Sequence, residues 1–296
     1  MGSGRIRAGH CLNIQHRQFD AGDCLSLHAA ISGRGDPLTI LHGFTGSAET
    51  WESFRLDFDK EHRVIAVDLP GHGRSSSPAD PRRYSLRRFA DDLVRLMDSV
   101  GIERTVLLGY SMGGRAALHF AVSHRDRLGG LILESTSAGI MEPELRESRA
   151  RADEDLALFI EGNGIPAFVD RWESLPLWES QWAMPGSARV SLRAQRLRNN
   201  AAGLANSLRG AGPAVHPLSK PYLALIEAPT LMIAGALDTK YVGIARELAE
   251  GISNSRTVIV PDAGHAIHIE RPGAFAKAVQ QFLGELSQVR YTRPHV

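Results

Sequence analysis

A serine between two glycines is the feature of this sequence that most directly suggests chemistry. Ser111 is the central residue of Gly109-Tyr110-Ser111-Met112-Gly113, which follows an apolar run and opens a helical pattern. G-x-S-x-G between a strand and a helix makes a turn so tight that the neighbours of the serine must be small. The serine oxygen then lies at a sheet edge beside a helix N-terminus, where negative charge is favoured. The pattern predicts that Ser111 is a nucleophile or a base.

A histidine must take the serine proton before the hydroxyl becomes reactive. Of the 12 histidines, His265 has the most suitable position, because it ends Pro261-Asp262-Ala263-Gly264-His265 directly after the last apolar strand pattern. Gly264 permits a sharp loop at the sheet edge that is predicted to hold Ser111. His268 is the alternative, and we expect it instead to pack against or cap the following helix.

An acid must then fix the imidazole tautomer and stabilise the imidazolium ion. Asp238 lies on the loop before the His265 loop and follows an apolar strand pattern. Glu134, which ends an earlier strand pattern, and Asp262, which is close to His265 in sequence, are the alternatives. The residues therefore predict a catalytic set of Ser111, Asp238 and His265.

Backbone donors for a negatively charged oxygen are expected next to Ser111. The segment His42-Gly43-Phe44 follows another strand pattern, and Gly43 allows its backbone to approach the site closely. We expect the N–H groups of Phe44 and Met112 to form an oxyanion hole, in which one missing donor typically costs ~10²-fold or more in rate.

Short apolar runs that alternate with amphipathic stretches predict the elements that position these residues. This alternation is typical of an α/β fold, and nearly continuous apolar runs indicate strands covered on both faces. The predicted strands are Leu25–Ile31, Leu38–Leu41, Val64–Val67, Thr105–Leu108, Gly130–Leu133, Thr230–Ala234 and Thr257–Val260. The predicted helices are 85–100, with Ser85 as its N-cap and Gly101 at its end, 112–124, 244–248 and 274–286.

The alternation stops between residues 140 and 217. This stretch has helical periodicity and no convincing strand, and it contains three of the four tryptophans. A helical insertion between two strands of one sheet explains it most simply. We therefore predict a first core segment, 1–139, a helical cap, 140–217, and a second core segment, 218–296.

The composition excludes several classes of protein. The 296 residues carry 34 Lys and Arg against 33 Asp and Glu, so the net charge of +1 lacks the field of a dedicated nucleic-acid binder. No apolar run reaches the ~18 residues of a membrane helix, and the first residues lack the apolar stretch of a signal peptide. We therefore expect a cytoplasmic protein that binds neither nucleic acid nor membrane.

Cofactor and metal motifs are also absent from the sequence. The two cysteines, Cys11 and Cys24, fit neither a disulfide scaffold nor a zinc pattern, and Gly71-His72-Gly73 lacks the third glycine of a dinucleotide site. We expect a small-molecule substrate and no cofactor or metal. The sequence does not determine the oligomeric state.

These motifs together resemble the α/β-hydrolase superfamily, which shares the order serine, acid, histidine. The segments that carry the resemblance are Leu41-His42-Gly43-Phe44-Thr45-Gly46, Asp68-Leu69-Pro70-Gly71-His72-Gly73-Arg74-Ser75 and the 109–113 motif. The resemblance narrows to the 2-succinyl-6-hydroxy-2,4-cyclohexadiene-1-carboxylate synthases of menaquinone biosynthesis. The segments that narrow it are 109–115, 149–153, 168–172, 203–210 and 235–241, although Tyr241 stands where this family leads us to expect Phe.

The resemblance implies a mostly parallel sheet flanked by helices, with the insertion as a cap. It also implies an elimination of pyruvate, in which a base removes a ring proton and an enolpyruvyl ether departs to leave a cyclohexadiene. Ser111 would be that base, kept basic by His265 and Asp238. The N–H groups of Phe44 and Met112 would hold the developing oxyanion.

The substrate implied by the resemblance carries several carboxylates. The pocket residues carried over from the family are Tyr110, Arg115, Arg149, Trp172 and Arg196. A guanidinium group binds a carboxylate through two parallel hydrogen bonds, and Arg115 lies one helical turn after Ser111. Alternatives in the cap are Arg151, Arg193 and Arg198, and the acidic residues of the insertion could pair with many of these arginines.

Two other functions stay open at this point. A serine carboxylesterase or a C–C bond hydrolase would use the same three residues through an acyl-enzyme. An α/β-hydrolase scaffold that only binds a ligand is disfavoured, because Ser111, Asp238 and His265 are all present.

Overall fold

One sheet of eight strands organises the chain. The structure is a computed structural model that describes residues 14–292. The strands are β1 (Gln15–Asp20), β2 (Ser26–Ser32), β3 (Asp36–Leu41), β4 (His62–Val67), β5 (Thr105–Tyr110), β6 (Leu128–Glu134), β7 (Thr230–Gly235) and β8 (Ser255–Val260). They lie in the order β1-β2-β4-β3-β5-β6-β7-β8, and all neighbours run parallel except β1 with β2 and β2 with β4. The expected mostly parallel α/β sheet is confirmed.

Helices cover both faces of this sheet. The α-helices are α1 (Glu52–Phe58), α2 (Leu86–Ser99), α3 (Met112–Ser123), α4 (Pro143–Glu173), α5 (Gly186–Leu197), α6 (Ala201–Ala211), α7 (Lys220–Leu223), α8 (Thr239–Gly251), α9 (Ile267–Glu270) and α10 (Pro272–Thr292). Short 3₁₀ helices occur at Ala48–Trp51, Pro81–Tyr84, Arg125–Arg127 and Pro176–Ala183. In the described part of the chain no helix is both long and apolar enough to cross a membrane.

The central strands are buried because both of their faces carry apolar side chains. One core cluster lies between the sheet and α2, α3 and α8, and includes Phe89 and Phe120. The other lies on the opposite face with α1 and α10, and includes Trp51 and Phe275. Parallel strands that are covered in this way read as continuous apolar runs. This is why the sequence pattern located them.

The parallel arrangement brings four loops to one edge of the sheet. Strands β3, β5, β7 and β8 all run in the same direction, so their carboxyl ends lie at the same edge. In open α/β sheets ligands bind at this edge. The loops after these strands contain Phe44, Ser111, Asp238 and His265.

The segment between β6 and β7 is helical, as expected, and contains α4, α5 and α6. α4 kinks at Gly164, whose φ of 77° is non-helical. α4 and α6 bury a small apolar core of their own, which includes Phe168 and Leu204. The exact division at 139/140 and 217/218 stays a prediction.

β1 is the strand that the sequence pattern missed. Its residues Gln15, His16, Arg17 and Gln18 are exposed, because β1 is an edge strand that pairs with β2 alone. An exposed edge strand has no apolar alternation to detect. Ser85 does precede α2, but its side chain makes no capping hydrogen bond. Cys24 is an exposed free thiol, whereas Cys11 lies outside the described residues.

Candidate active site

Ser111 lies on a strained turn between β5 and α3. Its φ of 51° falls in the left-handed region, which costs energy for a residue with a side chain. The flanking glycines are required by space. A Cβ at Gly109 would lie 2.4 Å from the carbonyl oxygen of Gly113, and one at Gly113 would lie 2.5 Å from that of His42. The turn holds the Ser111 side chain out of the sheet edge.

His265 links Ser111 to Asp238. Its Nε2 atom lies 3.1 Å from Ser111 Oγ, and its Nδ1 atom lies 2.7 Å from Asp238 Oδ2. An ionised carboxylate can only accept hydrogen bonds, so Nδ1 carries the hydrogen and donates a hydrogen bond to Asp238. Nε2 then presents a lone pair to the Ser111 hydroxyl. The imidazole is 2% exposed, so water competes little for these bonds.

In the described structure the side chains of the alternative acids, Glu134 and Asp262, and of the alternative histidine, His268, make no hydrogen bond to Ser111 or to the ring of His265. Glu134 is fully buried and accepts a hydrogen bond from His268 Nδ1 at 2.8 Å. The His268 ring stacks on Trp51 at 4.3 Å. Asp262 is exposed in a turn with a φ of 53°. Glu134 and His268 therefore form a separate buried pair.

The two expected oxyanion donors lie beside Ser111. Met112 is the first residue of α3, so its N–H has no acceptor within the helix. Phe44 and Met112 line the same cavity as Ser111. A Cβ at Gly43 would lie 2.6 Å from the Tyr110 ring, so a side chain there would push the Phe44 backbone away from the site. The arrangement can place two N–H groups on a developing oxyanion.

A cavity of about 450 Å³ lies over Ser111, between the sheet edge and the cap. Residues from the core and the cap both line it. Those that the sequence analysis named are Phe44, Tyr110, Ser111, Met112, Arg115, Arg149, Trp172 and His265. The Trp172 ring packs edge-on against Phe44 at 5.4 Å, so the cap closes directly over the expected oxyanion loop.

Two guanidinium groups line this cavity. Arg115 is 9% exposed and donates from Nη2 to the carbonyl oxygen of Ala211 at 2.7 Å. Burial lowers the pKa of Arg115 to about 10, so it keeps its charge at neutral pH. Arg149 donates to Asp153 at 2.8 Å, and burial raises the pKa of that carboxyl group although Arg149 opposes the shift. The cavity that contains Ser111 is therefore lined by two guanidinium groups, and by the carboxyl group of Asp153 that pairs with Arg149.

The structure does not bring Arg196 into the cavity lining. Its guanidinium donates to Glu173 at 2.9 Å and to Gln181 at 3.3 Å, and it lies over the Trp178 ring at 5.1 Å. Trp178 itself lines the cavity, so Arg196 lies behind the Trp178 ring and outside the cavity. The ion pair with Glu173 holds the guanidinium on that side of Trp178.

The other cap arginines also form ion pairs outside the cavity. Arg193 pairs with Glu173 and Asp170, and Arg151 pairs with Glu147. Arg198 pairs with Glu49 of the core. Of the cap arginines considered from the sequence, Arg149 is therefore the one that lines the cavity in the described part of the chain.

Lys240 and Tyr241 also line the cavity, although neither was predicted as a site residue from the sequence. The Tyr241 ring packs edge-on against His265 at 4.5 Å, and burial raises the pKa of its phenol. Asp238 is the N-cap of α8 and accepts from Tyr241 N at 3.3 Å. Because Asp238 caps α8, the first turn of that helix, which contains Lys240 and Tyr241, lies next to it. The position of Asp238 at a helix start could therefore have predicted that both residues lie near the site.

A second cavity, of about 460 Å³, shares no lining residue with the first. It lies among β1, β2, α1 and α5, and includes His16, His28 and Asp68. None of the predicted catalytic residues reaches it. Among residues 14–292, no group of three or more His, Cys, Asp or Glu side chains is arranged to hold a metal ion.

Comparison with known proteins agrees with this geometry. The family model of the alpha/beta hydrolase fold matches residues 36–272. A Bacillus subtilis protein provisionally named 2-succinyl-6-hydroxy-2,4-cyclohexadiene-1-carboxylate synthase is 40% identical over 248 residues, which are 84% of this chain and 90% of that protein.

Two solved structures are also similar. MenH from S. aureus has a TM-score of 0.82 at 36% identity, covering 85% of this chain and 94% of that one. A thermophilic esterase from Thermogutta terrifontis has a TM-score of 0.81 at 30% identity, covering 92% of this chain and 99% of that one. The similarity thus extends over the core and the cap.

Proposed function

The chain belongs to the alpha/beta hydrolase family and, within it, to the 2-succinyl-6-hydroxy-2,4-cyclohexadiene-1-carboxylate synthases, and from this membership we propose that it is a pyruvate-eliminating lyase. Its substrate would be a succinyl cyclohexene that carries an enolpyruvyl ether and several carboxylates. The products would be the cyclohexadiene named above and pyruvate. A small anionic substrate and a cytoplasmic location belong to the same proposal.

The first step is a proton transfer. The Ser111 hydroxyl gives its proton to His265 Nε2, which lies 3.1 Å away, and Ser111 Oγ takes the ring proton next to the succinyl carbonyl. Asp238 stabilises the imidazolium ion through the bond to Nδ1. The carbonyl oxygen becomes negative, and the N–H groups of Phe44 and Met112 stabilise it.

The second step breaks the ether bond. The electron pair of the enolate forms a double bond to the next ring carbon, the existing ring double bond moves one position towards the ether carbon, and the C–O bond to the enolpyruvyl group breaks with its electron pair on oxygen. The departing enolate takes up the proton held on His265, which restores the neutral imidazole, and tautomerises to pyruvate. No water is added, so the reaction is an elimination and needs no acyl-enzyme.

Binding depends on the charges around the cavity. Arg115 and Arg149 line it together with Ser111, so they can hold carboxylates while the base faces the ring. A proton transfer gains from such positioning because the reacting atoms start close together. The observation that carries the proposal is this juxtaposition of a serine base and two guanidinium groups in one cavity beneath the cap.

A serine carboxylesterase is the second candidate. The Ser111–His265–Asp238 contacts would equally support attack on an ester carbonyl, and the esterase of Thermogutta terrifontis is similar in structure. The two guanidinium groups distinguish the candidates, because a short neutral ester gives them nothing to bind.

The test is a continuous absorbance assay of cyclohexadiene formation on the enzymatically prepared succinyl enolpyruvyl precursor, with pyruvate measured in parallel. p-Nitrophenyl acetate and butyrate are the competing substrates, and Ser111→Ala is the control. We expect the elimination to be orders of magnitude faster than ester hydrolysis. Fast ester hydrolysis without pyruvate would reject the lyase in favour of the esterase.

A further inference from the structure

One buried carboxylate holds the backbone on both sides of His265. Glu270 Oε2 accepts a hydrogen bond from Gly264 N at 2.6 Å, and Glu270 Oε1 accepts one from Ala266 N at 3.1 Å. Glu270 lies at the end of α9 and is 7% exposed. The carboxylate therefore brackets the residue that must reach both Ser111 and Asp238.

The bracket requires a carboxylate of this length. Both oxygens are used, and both partners are N–H donors, so the group must accept twice. A glutamine has only one acceptor oxygen. Its NH₂ group would face the second backbone N–H, so one of the two hydrogen bonds would be lost. An aspartate is one methylene shorter and cannot reach both donors while its backbone stays in α9.

The same loop is fixed on its other sides by close packing. A Cβ at Gly264 would lie 2.1 Å from Ser180 Oγ of the cap. The carbonyl oxygen of Ala263 accepts from Leu237 N at 2.9 Å, which ties the His265 loop to the loop of Asp238. A shift of the backbone at Gly264 would therefore move His265 relative to both of its partners.

We propose that Glu270 is a positioning residue that holds His265 in line between Ser111 and Asp238. The inference rests on the proposed function, because it takes His265 as the proton carrier. Glu270 itself does not line the cavity. Its effect should appear in the rate of the proton-transfer step and not in substrate binding.

The test compares Glu270→Gln and Glu270→Asp with wild-type enzyme. The first readout is the rate at which a fluorophosphonate labels Ser111. In that reaction Ser111 Oγ bonds to phosphorus, fluoride leaves with the electron pair of the P–F bond, and the hydroxyl proton passes to His265. We expect a fall of roughly ten- to hundred-fold for Glu270→Gln, the size of the penalty for a small misplacement of reacting groups.

The second readout separates positioning from general damage. For the elimination we expect kcat to fall in parallel with the labelling rate while KM changes by less than about two-fold. Asp92→Asn is the matched control, because Asp92 on α2 is a carboxylate that is 2% exposed, pairs with Arg83 and does not line the cavity. It should lower the melting temperature without slowing the labelling of Ser111.

The outcomes are distinct. If folded Glu270→Gln labels at the wild-type rate, or if KM rises while kcat is unchanged, Glu270 does not position His265. If Glu270→Gln does not fold, Glu270→Asp decides: it keeps one contact and the charge, and a wild-type labelling rate would reject the proposal. If the wild-type enzyme forms no pyruvate but the labelling of Ser111 still slows in Glu270→Gln, the proposed elimination fails and the positioning role of Glu270 stands.

Discussion

Glu134 and His268 hydrogen-bond to each other at 2.8 Å, while Tyr110 packs against both His268 and His265, at 4.7 and 5.5 Å between ring centroids. Two acid–histidine pairs thus contact the same aromatic ring. The His265 pair reaches Ser111 and borders the cavity, whereas the His268 pair is buried beside Trp51. From the sequence alone, Asp238 and Glu134 were both candidate acids, and His265 and His268 were both candidate histidines. The fold pairs Asp238 with His265 and Glu134 with His268.

Glu134→Gln should lower stability and spare catalysis. The amide oxygen can still accept from the backbone N–H of His268, which now lies 3.0 Å from Glu134 Oε1. The NH₂ group that replaces Oε2 would face the ring Nδ1–H, which now lies 2.8 Å from both carboxylate oxygens. We expect a loss of about 1.5–3 kcal/mol in the free energy of unfolding, measured by denaturant titration. The kcat of the folded fraction should stay within about three-fold of wild type. A much larger loss of kcat would place Glu134 in the proton-transfer system.

Asp238→Asn should remove most of the catalytic activity and leave the stability nearly unchanged. An asparagine can donate to His265 Nδ1 and thereby turn the imidazole to the tautomer whose Nε2 carries hydrogen, so it cannot take the Ser111 proton. We expect kcat to fall by about 10⁴-fold with little change in melting temperature. Steady-state kinetics and thermal unfolding on the same preparation test this, and a variant with near wild-type kcat would return the role of the acid to another residue.

Arg115→Lys should weaken binding of the carboxylate substrate. Lysine keeps the charge but loses the planar fork that binds a carboxylate through two bonds. We expect kcat/KM for the elimination to fall roughly ten- to hundred-fold, as for the loss of a hydrogen bond between charged groups. Turnover of p-nitrophenyl acetate should not change. Arg151→Ala is the control, because its exposed ion pair with Glu147 lies outside the cavity.

Arg196→Met tests the placement behind the cavity wall. Its partners Glu173 and Gln181 would lose a buried cation, so we expect the melting temperature to fall. Glu173 is 25% exposed and keeps its ion pair with Arg193, so we expect a loss of roughly 1–3 kcal/mol in the free energy of unfolding. The KM of the elimination, measured below the melting temperature, should move far less than in Arg115→Lys. An equal rise in KM would show that Arg196 reaches the substrate after the cap moves.

Stability should fall in mild acid because of buried neutral histidines. Burial lowers the pKa of His72 to about 3 and that of His119 to about 4, against 6.5 in the unfolded chain. Between these values the unfolded state binds more protons, so these histidines contribute stability above pH 6.5 that is lost as pH falls towards 4. Urea titrations at pH 7, 6, 5 and 4 measure the slope. His119→Gln should flatten it, and an unchanged slope would contradict the assignment.

The sequence by itself predicted seven of the eight strands and which candidate residues would meet at one edge of the sheet. Apolar runs marked the buried strands, and the glycines around Ser111 marked a turn that only small neighbours allow. Parallel strands all end at one edge, so residues just after β5, β7 and β8 had to meet there. This is why Ser111, Asp238 and His265 could be named from local pattern and chain order.

Only the tertiary structure decided the contacts among residues that are far apart in sequence. The sequence offered Arg149 and Arg196 alike as cap arginines, but Arg196 pairs with Glu173 outside the cavity while Arg149 lines it. The pairing of Glu134 with His268 spans more than a hundred residues, and β1 is held by its pairing with β2 and not by its own pattern. Such choices depend on which charged and polar groups meet when the chain packs, and no local periodicity records that.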